Sequence, residues 1–419
     1  MTEGRQRPRL LVSTSTFPRW RGDSEPPFVY ELSRRLTGRF EVTVLAPRAP
    51  GSLEQEILDG IEVIRFPYFI RRWENLATHG GGILNRLRSN RLFYLLVPLF
   101  LLGQCLTLAR LLRTHHFDVI HAHWLIPQGL VAVLARWLAR RPVPMLCTSH
   151  GGDLFALRSP AMRLVKRIVM RASSRITVVS SAMRTEVLDL GIPAEQVTII
   201  PMGVDMQGRF TSDATPSDTV QRSDAPEILF VGRLVEKKGV EWLLRAMPMV
   251  ASRFPGVRLT VAGDGPLEPS LKRLARELGI DRQVDFLGMV TQTTLPDLYR
   301  RATLFVAPFL VADSGDQEGF PLAPLEAIGC GCPIICGRVA AFGDVIRHEE
   351  EALLVPPRDE AALADAISTL LADPAYRARL AANARERCHR AFDWQTVATR
   401  YADLIASIIE ASRADQRPG

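Results

Sequence analysis

The sequence predicts an α/β chain of two domains, each built on a parallel sheet covered by helices on both faces. Short apolar runs of four to six residues alternate with helical stretches along the whole chain. Its 419 residues exceed one ordinary layered domain and suit two of about 200 residues each. A polar stretch without period, 207–226, separates two such series.

The first series opens on an apolar strand at 9–13, then a loop and a helix at 28–36. Further strands are expected at 42–46, 61–66, 118–122, 145–149, 175–179 and 197–200. The stretch 207–226 is rich in Ser, Thr, Asp and Pro and reads as a linker. The second series places strands at 228–231, 258–262, 284–287, 304–307 and 333–336, with helices at 239–253 and 267–278. After Asp373-Pro374 the chain reads as helical almost to its end. The expected domains are therefore 1–206 and 227–393, facing a cleft that places a ligand at the carboxyl ends of the strands.

Composition narrows the partners. With 47% hydrophobic and 23% charged residues the chain can fill its cores and is not disordered. A net charge of +7 favours anionic partners without choosing among phosphates, anionic lipid and nucleic acid. The six cysteines, at 105, 147, 330, 332, 336 and 388, form no paired framework, which suits a reducing compartment. Cys330, Cys332 and Cys336 are close in sequence but lack a fourth ligand nearby, so they read as structural. The N-terminus is basic but continues into a short strand rather than a signal core, and the expected location is the cytoplasm.

The apolar stretch 92–109 approaches the length of a membrane span. Pro98, Gly103 and Gln104 interrupt it, and it falls between strands of one sheet, which argues against crossing a bilayer. Between Arg65 and Thr114 there are eight arginines and one acid, Glu74. Region 65–114 is thus either a core helix with its approaches or a peripheral contact with an anionic membrane surface.

The chemistry concentrates in a few loops. In Glu318-Gly-Phe-Pro-Leu-Ala-Pro-Leu-Glu326 two carboxylates bracket the start of a short helix, with Pro321 suited to its first position and Gly329 and Gly331 to its end. At ~1.5 Å per residue, Glu326 lies roughly 7–8 Å along that helix. A diphosphate can rest on the helix start while Glu326 holds a pair of sugar hydroxyls. After strand 228–231, Gly232 allows close backbone approach, and Arg233 and Lys238 offer a planar fork and a point charge to a diphosphate. Read alone, such basic residues equally suit a solvated loop, and Lys237 reads as a solvated neighbour. Gly263-Asp264-Gly265-Pro266 is turn chemistry.

In the first half, Ser149-His150-Gly151-Gly152-Asp153 follows a strand, and its imidazole and carboxylate suit contact with sugar hydroxyls or a reacting centre. Asp153 as a helix cap is the alternative. His121 and His123, two apart on a strand, face one side, for a metal or as hydrogen-bonded site histidines. No third metal ligand is evident. The chain has no Gly-x-Gly-x-x-Gly after its first strand and no Walker A loop. Nor does it carry a nucleic-acid-reading motif, and the basic residues lack interleaved aromatics, so no nucleic-acid partner is expected.

In their order along the chain these motifs resemble glycosyltransferase family 4, with the GT-B architecture of two Rossmann-like domains. The resemblance rests on FPRWRGD (17–23), DVIHAHW (118–124), HGGDL (150–154), IPMGVD (200–205), VGRLVEKKG (231–239), VAGDGP (261–266), FLG (286–288), EGFPLAPLEA (318–327) and FDW (392–394). It implies a retaining, metal-independent enzyme that needs no cofactor and transfers a hexose from a UDP- or GDP-sugar. The implied acceptor is a lipid-linked or membrane-proximal glycan or glycolipid of envelope or exopolysaccharide synthesis. Arg233 and Lys238 would bind the donor diphosphate and Glu326 the ribose. Glu318, with the amides of Phe320 and Leu322, would engage the donor sugar and phosphate, and Gly232, Pro321 and Val290 would line the donor site. His150 would face the transferred sugar, while Gly22, Asp153 and His123 would line the donor or acceptor side. A C-terminal helix, 394–414, would cross back to the first domain. The chain departs from the family pattern at Pro321, which lacks an amide hydrogen, and at Arg19-Trp20-Arg21-Gly22-Asp23, where many members carry a Gly pair. A sugar-nucleotide epimerase on the same fold and a non-catalytic membrane-associated subunit are the alternatives.

Overall fold

The computed structural model describes residues 7–23, 28–77, 83, 86–87, 90–155, 159–212 and 225–415. The chain forms two compact units, Met1–Pro201 together with Val397–Gly419, and Met202–Thr396. The boundary thus falls at Pro201, ahead of the expected 207–226 stretch. Residues just after it pack within the second unit: the Phe210 carbonyl lies so close to Gly329 that a Cβ there would sit 2.5 Å away. Residues 213–224 of the expected linker lie outside the described residues.

The first unit carries β1 (Arg9–Ser13), β2 (Glu41–Pro47), β3 (Gln55–Leu58), β4 (Ile61–Phe66), β5 (Val119–His123), β6 (Met145–Thr148), β7 (Arg175–Val178) and β8 (Val197–Ile199). They pair in the order β3-β4-β2-β1-β5-β6-β7-β8, parallel throughout except for β3 on β4. Central β1 pairs Val12 with Val44 on one side and His121 on the other. Its Leu10, Leu11 and Val12 are buried, as a strand covered on both faces requires. β3 was not expected: it is a four-residue antiparallel edge with Ile57 exposed, and so carries no buried run to read.

Among the described residues, the helices of this unit include α1 (Phe28–Leu36), α2 (Leu96–Thr114), α3 (Leu130–Ala139), α4 (Gly152–Phe155), α5 (Pro160–Arg171) and α6 (Ser181–Asp189). Ser159 and Ser180 cap α5 and α6 through their hydroxyls. Right-handed crossovers put α1 on one face of the sheet and α2, α3 and α5 on the other. The stretch expected at 92–109 is a tight turn, Arg91–Leu95, followed by α2 to Thr114. Of the residues that interrupt its apolar run, Pro98 is exposed, while Gly103 and Gln104 face inward. Gly103 lies against the Pro67 carbonyl, where a Cβ would come within 2.2 Å, and Gln104 Nε2 donates to the Ser13 hydroxyl at 3.0 Å.

The second unit is a wholly parallel sheet of β9 (Glu227–Val231), β10 (Arg258–Ala262), β11 (Val284–Gly288), β12 (Leu304–Ala307), β13 (Ile334–Gly337) and β14 (Leu353–Val355), ordered β11-β10-β9-β12-β13-β14. Three-residue β14 is too short to register as an apolar run. Its helices are α7 (Val240–Arg253), α8 (Glu268–Glu277), α9 (Leu295–Arg301), α10 (Leu322–Gly329), α11 (Glu360–Ala372) and α12 (Pro374–Phe392). A last helix, α13 (Trp394–Asp415), joins the first unit from Val397 onward. Where it begins, Val204 N–H donates to the Phe392 carbonyl and Trp394 N–H to the Val204 carbonyl. Gly203 lies so close to the Trp394 ring that a Cβ would come within 2.4 Å. The IPMGVD and FDW motifs therefore meet side by side.

Candidate functional site

In the second unit the candidate residues follow the strands, most in the loops and Glu326 within α10. At the end of β9, Gly232 has φ +157° and donates its N–H to the Ala262 carbonyl. Gly263, after β10, presses on the Gly232 carbonyl, leaving 2.0 Å for any Cβ. Two glycines thus let adjacent loops close on each other, a packing role the turn reading of 263–266 did not anticipate. Arg233 is half-buried in the β9 loop, and Val290 is half-buried after β11. Gly239 closes the β9 loop at φ +67°, its Cα against the Pro308 carbonyl, and begins α7.

Lys238 lies between a carboxylate and a ring. Its Nζ is 2.7 Å from Glu318 Oε2 and 4.0 Å from the centre of the Phe309 ring. Burial pushes the Glu318 carboxyl up, but the charges of Lys238 and Lys237 outweigh it and hold the group below its usual range. Lys237 is not a solvated neighbour: its Nζ contacts Asp316 Oδ1 and the Gln317 carbonyl, each at 3.2 Å. Both lysines therefore tie the β9 loop to the segment leading into α10.

That segment ends in a cap. Pro321, at φ −89° and ψ 81°, precedes the helix rather than starting it, and Leu322 is the first helical residue. The Phe320 ring is buried against Phe392, with centroids 5.7 Å apart, which fixes the backbone at the helix start. The first N–H groups of a helix lack intrahelical partners and favour an anion.

Further along α10, Glu326 accepts a hydrogen bond at Oε2 from the Tyr299 hydroxyl at 2.9 Å. Burial raises the Glu326 carboxyl to about 7, opposed by the Tyr299 hydrogen bond and the charge of Arg209. Tyr299 is fully buried between Phe305 and Phe210. Sequence reading missed Tyr299, Phe309 and Arg209. Tyr299 reads as the apolar face of α9, and nothing local links it to an acid 27 positions away.

The first unit builds a histidine cluster. β5 directs His121 and His123 to one side, their ring centroids 4.2 Å apart. His121 Nε2 shares a hydrogen bond with the Thr148 hydroxyl at 2.7 Å, and Thr148 bonds Thr177. The Tyr401 hydroxyl of α13 bonds both threonines. His123 Nδ1 and His150 Nε2 share a hydrogen bond at 3.0 Å, with His150 packed by Phe28 and Trp124. Burial holds His121 and His150 down to about 3, and His123 well below its ordinary value, so all three are neutral at pH 7. Among the described residues no set of three or more His, Cys, Asp or Glu side chains is arranged for a metal ion. Cys330, Cys332 and Cys336 are buried, and burial raises their thiols.

Asp153 turns inward. It accepts from Leu125 N–H at 2.7 Å, the Ser149 hydroxyl at 2.8 Å and His150 N–H at 3.3 Å. Burial raises its carboxyl against these bonds. Its bonds hold the His150 loop and the turn after Trp124, whose φ is +74°. Gly22, at φ +83°, is exposed in a turn closed by the buried Arg19–Asp23 ion pair at 2.6 Å.

Residues 27–207 match the family model described as Glycosyltransferase Family 4, and residues 212–387 the one described as Glycosyl transferases group 1. The glycogen synthase of Mycobacterium tuberculosis is 32% identical over 315 residues, covering 73% of this chain and 72% of that protein. The GDP-mannose-dependent alpha-(1-6)-phosphatidylinositol monomannoside mannosyltransferase of Mycolicibacterium smegmatis is 27% identical over 97% of this chain and 100% of its own. In fold, the chain is similar to the solved sucrose-phosphate synthase of Thermosynechococcus elongatus. The TM-score is 0.76 at 22% identity, over 97% of this chain and 100% of that one.

Proposed function

Because the chain belongs to glycosyltransferase family 4, with the two parallel-sheet domains of the GT-B fold, it is a nucleotide-sugar transferase, and we propose that it transfers a hexose from a UDP- or GDP-sugar with retention of configuration and without a metal. The observation that carries this reading is the pair of carboxylates about α10, Glu318 on Lys238 and Glu326 on Tyr299. In this reading the donor diphosphate lies against Arg233, Lys238 and the start of α10, beside Gly232, Phe320, Pro321 and Leu322. The two cations and the helix start stabilise the leaving diphosphate, the part a divalent ion plays elsewhere. Glu326, held at one oxygen by Tyr299, accepts the ribose hydroxyls, and Glu318 engages the donor sugar. Val290 borders the donor. His150 serves the transferred sugar as a neutral imidazole, with His123 behind it, and the Gly22 turn borders the substrates. Asp153 is a positioning residue for His150.

The acceptor in this reading is a lipid-linked or membrane-proximal glycan or glycolipid of polysaccharide biosynthesis. The protein then works in the cytoplasm, with region 65–114 touching the anionic membrane surface. The mannosyltransferase relative, whose name specifies a phosphatidylinositol mannoside, supports this class.

The test is a panel of UDP-, GDP- and ADP-hexoses followed for binding and for transfer. One donor should raise the melting temperature, and transfer to a glycolipid acceptor should proceed with a chelator present. Glu326→Ala and Lys238→Ala should abolish transfer and leave the fold intact. Near-wild-type turnover in both would overturn the site assignment, and isomerisation of the donor without acceptor would replace transfer by epimerisation.

A further inference from the structure

α2, α3 and α5 lie side by side on one face of the first sheet, and each turns apolar side chains outward at helical spacing. On α2 and the turn before it these are Leu92, Leu95, Leu99, Leu102 and Leu106; on α3, Leu134, Trp137 and Leu138; on α5, Leu164 and Ile168. Trp137 is 80% exposed. The core contacts of α2 come from the other side of the helix, Leu96, Phe100, Gln104 and Leu108. A surface helix of a water-facing domain is polar on its outer face, and this layer is not.

The charge on the layer has one sign. No Asp or Glu occurs in α2, α3 or α5. Between Asn75 and Thr185 the sequence holds fifteen Arg and Lys against two acids, Asp118 and Asp153. Asp118 is bonded to Arg413 and to Arg9 N–H, and Asp153 is buried. At the end of α3, Arg113, Arg136, Trp137, Arg140, Arg141 and Pro142 line an open groove of about 870 Å³. Arg113 and Arg136 donate to the Leu138 and Ala172 carbonyls, while Arg140 and Arg141 project from the end of α3, exposed.

We propose that this three-helix layer is a membrane-docking face, with its leucines and Trp137 in the acyl boundary and the Arg140–Arg141 groove on anionic headgroups. Large apolar side chains ringed by arginines complement a sheet of phosphates above hydrocarbon. A second copy of the chain does not fit as well. A two-fold contact through this face would set arginines against arginines with no carboxylate on either side. The inference deepens the membrane-proximal reading, extending the contact beyond region 65–114 to α3 and α5.

The experiment is flotation of the full chain with phosphatidylcholine vesicles with and without phosphatidylglycerol. The wild type should float with the anionic vesicles and lose binding as salt rises. Leu99→Ser with Leu102→Ser and Leu106→Ser on α2, and separately Trp137→Ser with Arg140→Ser and Arg141→Ser on α3, should each weaken partition. The second set should do so on the order of thirtyfold, at about 1 kcal/mol for each arginine near the surface, with melting and nucleotide binding unchanged. The face is overturned if the wild type does not float, if the α3 set floats like wild type, or if these substitutions instead abolish a dimer seen by sedimentation. Flotation with transfer confined to water-soluble acceptors would support the docking face and overturn the acceptor reading.

Discussion

The Tyr299 hydroxyl donates to Glu326 Oε2 at 2.9 Å from a fully buried position in α9. The bond leaves Oε1 as the freer oxygen and sets the plane of the carboxylate. Tyr299→Phe keeps the packing on Phe305 and Phe210 and removes this bond. The donor dissociation constant should rise roughly tenfold, as expected for a hydrogen bond to a charged group worth ~1.5 kcal/mol. Calorimetric titration reads the affinity, and thermal melting should show little change.

The carboxyl of Glu326, raised by burial to about 7 from its ordinary 4.5, makes two pH dependences. Between those values the folded chain binds more protons than the unfolded one, so this group's contribution to stability falls as pH rises from about 4.5 to about 7. A ribose diol donates its hydroxyl protons to a carboxylate, so donor affinity should rise with pH through the same window. Glu326→Gln should flatten both. A wild-type affinity constant between pH 5 and 8 would remove Glu326 from the donor site.

Gly239→Ala should destabilise the second unit. The residue sits at φ +67°, and a Cβ would come within 1.9 Å of the Pro308 carbonyl. The conformation alone costs about 1–2 kcal/mol in a non-glycine residue, and the clash moves the loop that carries Lys238. Melting should drop by several degrees and donor affinity should fall together with it, read by thermal shift with and without nucleotide.

Asp153→Asn replaces an oxygen that accepts from two groups, Ser149 Oγ and His150 N–H, or the one that accepts from Leu125 N–H, with an amide donor. One buried donor loses its partner at a cost of about 1–3 kcal/mol. Turnover should fall more than donor affinity, because the change acts on the His150 loop in the other unit from the nucleotide residues. Equal losses in both would mean a general loss of fold.

Local pattern made much of this legible. The strands 9–13, 258–262 and 304–307 lie where the apolar runs place them, because a strand buried on both faces cannot hide its composition. β3 escaped because an edge strand with an exposed Ile57 has neither run nor alternation. Lys237 was misread because its partner Asp316 lies 79 positions away.

The two parallel sheets and the motif loops after their strands can be read from the chain alone, because burial and turn chemistry act within a few residues of each other. What those groups do follows from contacts made across the fold. Folding put a buried phenol on Glu326, turned Asp153 onto backbone amides, and joined Tyr401 of the last helix to the threonines behind His121. The two faces of α2 follow the same rule. Its composition is apolar all round, and which leucines meet the core depends on Pro67 and Ser13, contacts that exist only once the sheet has formed.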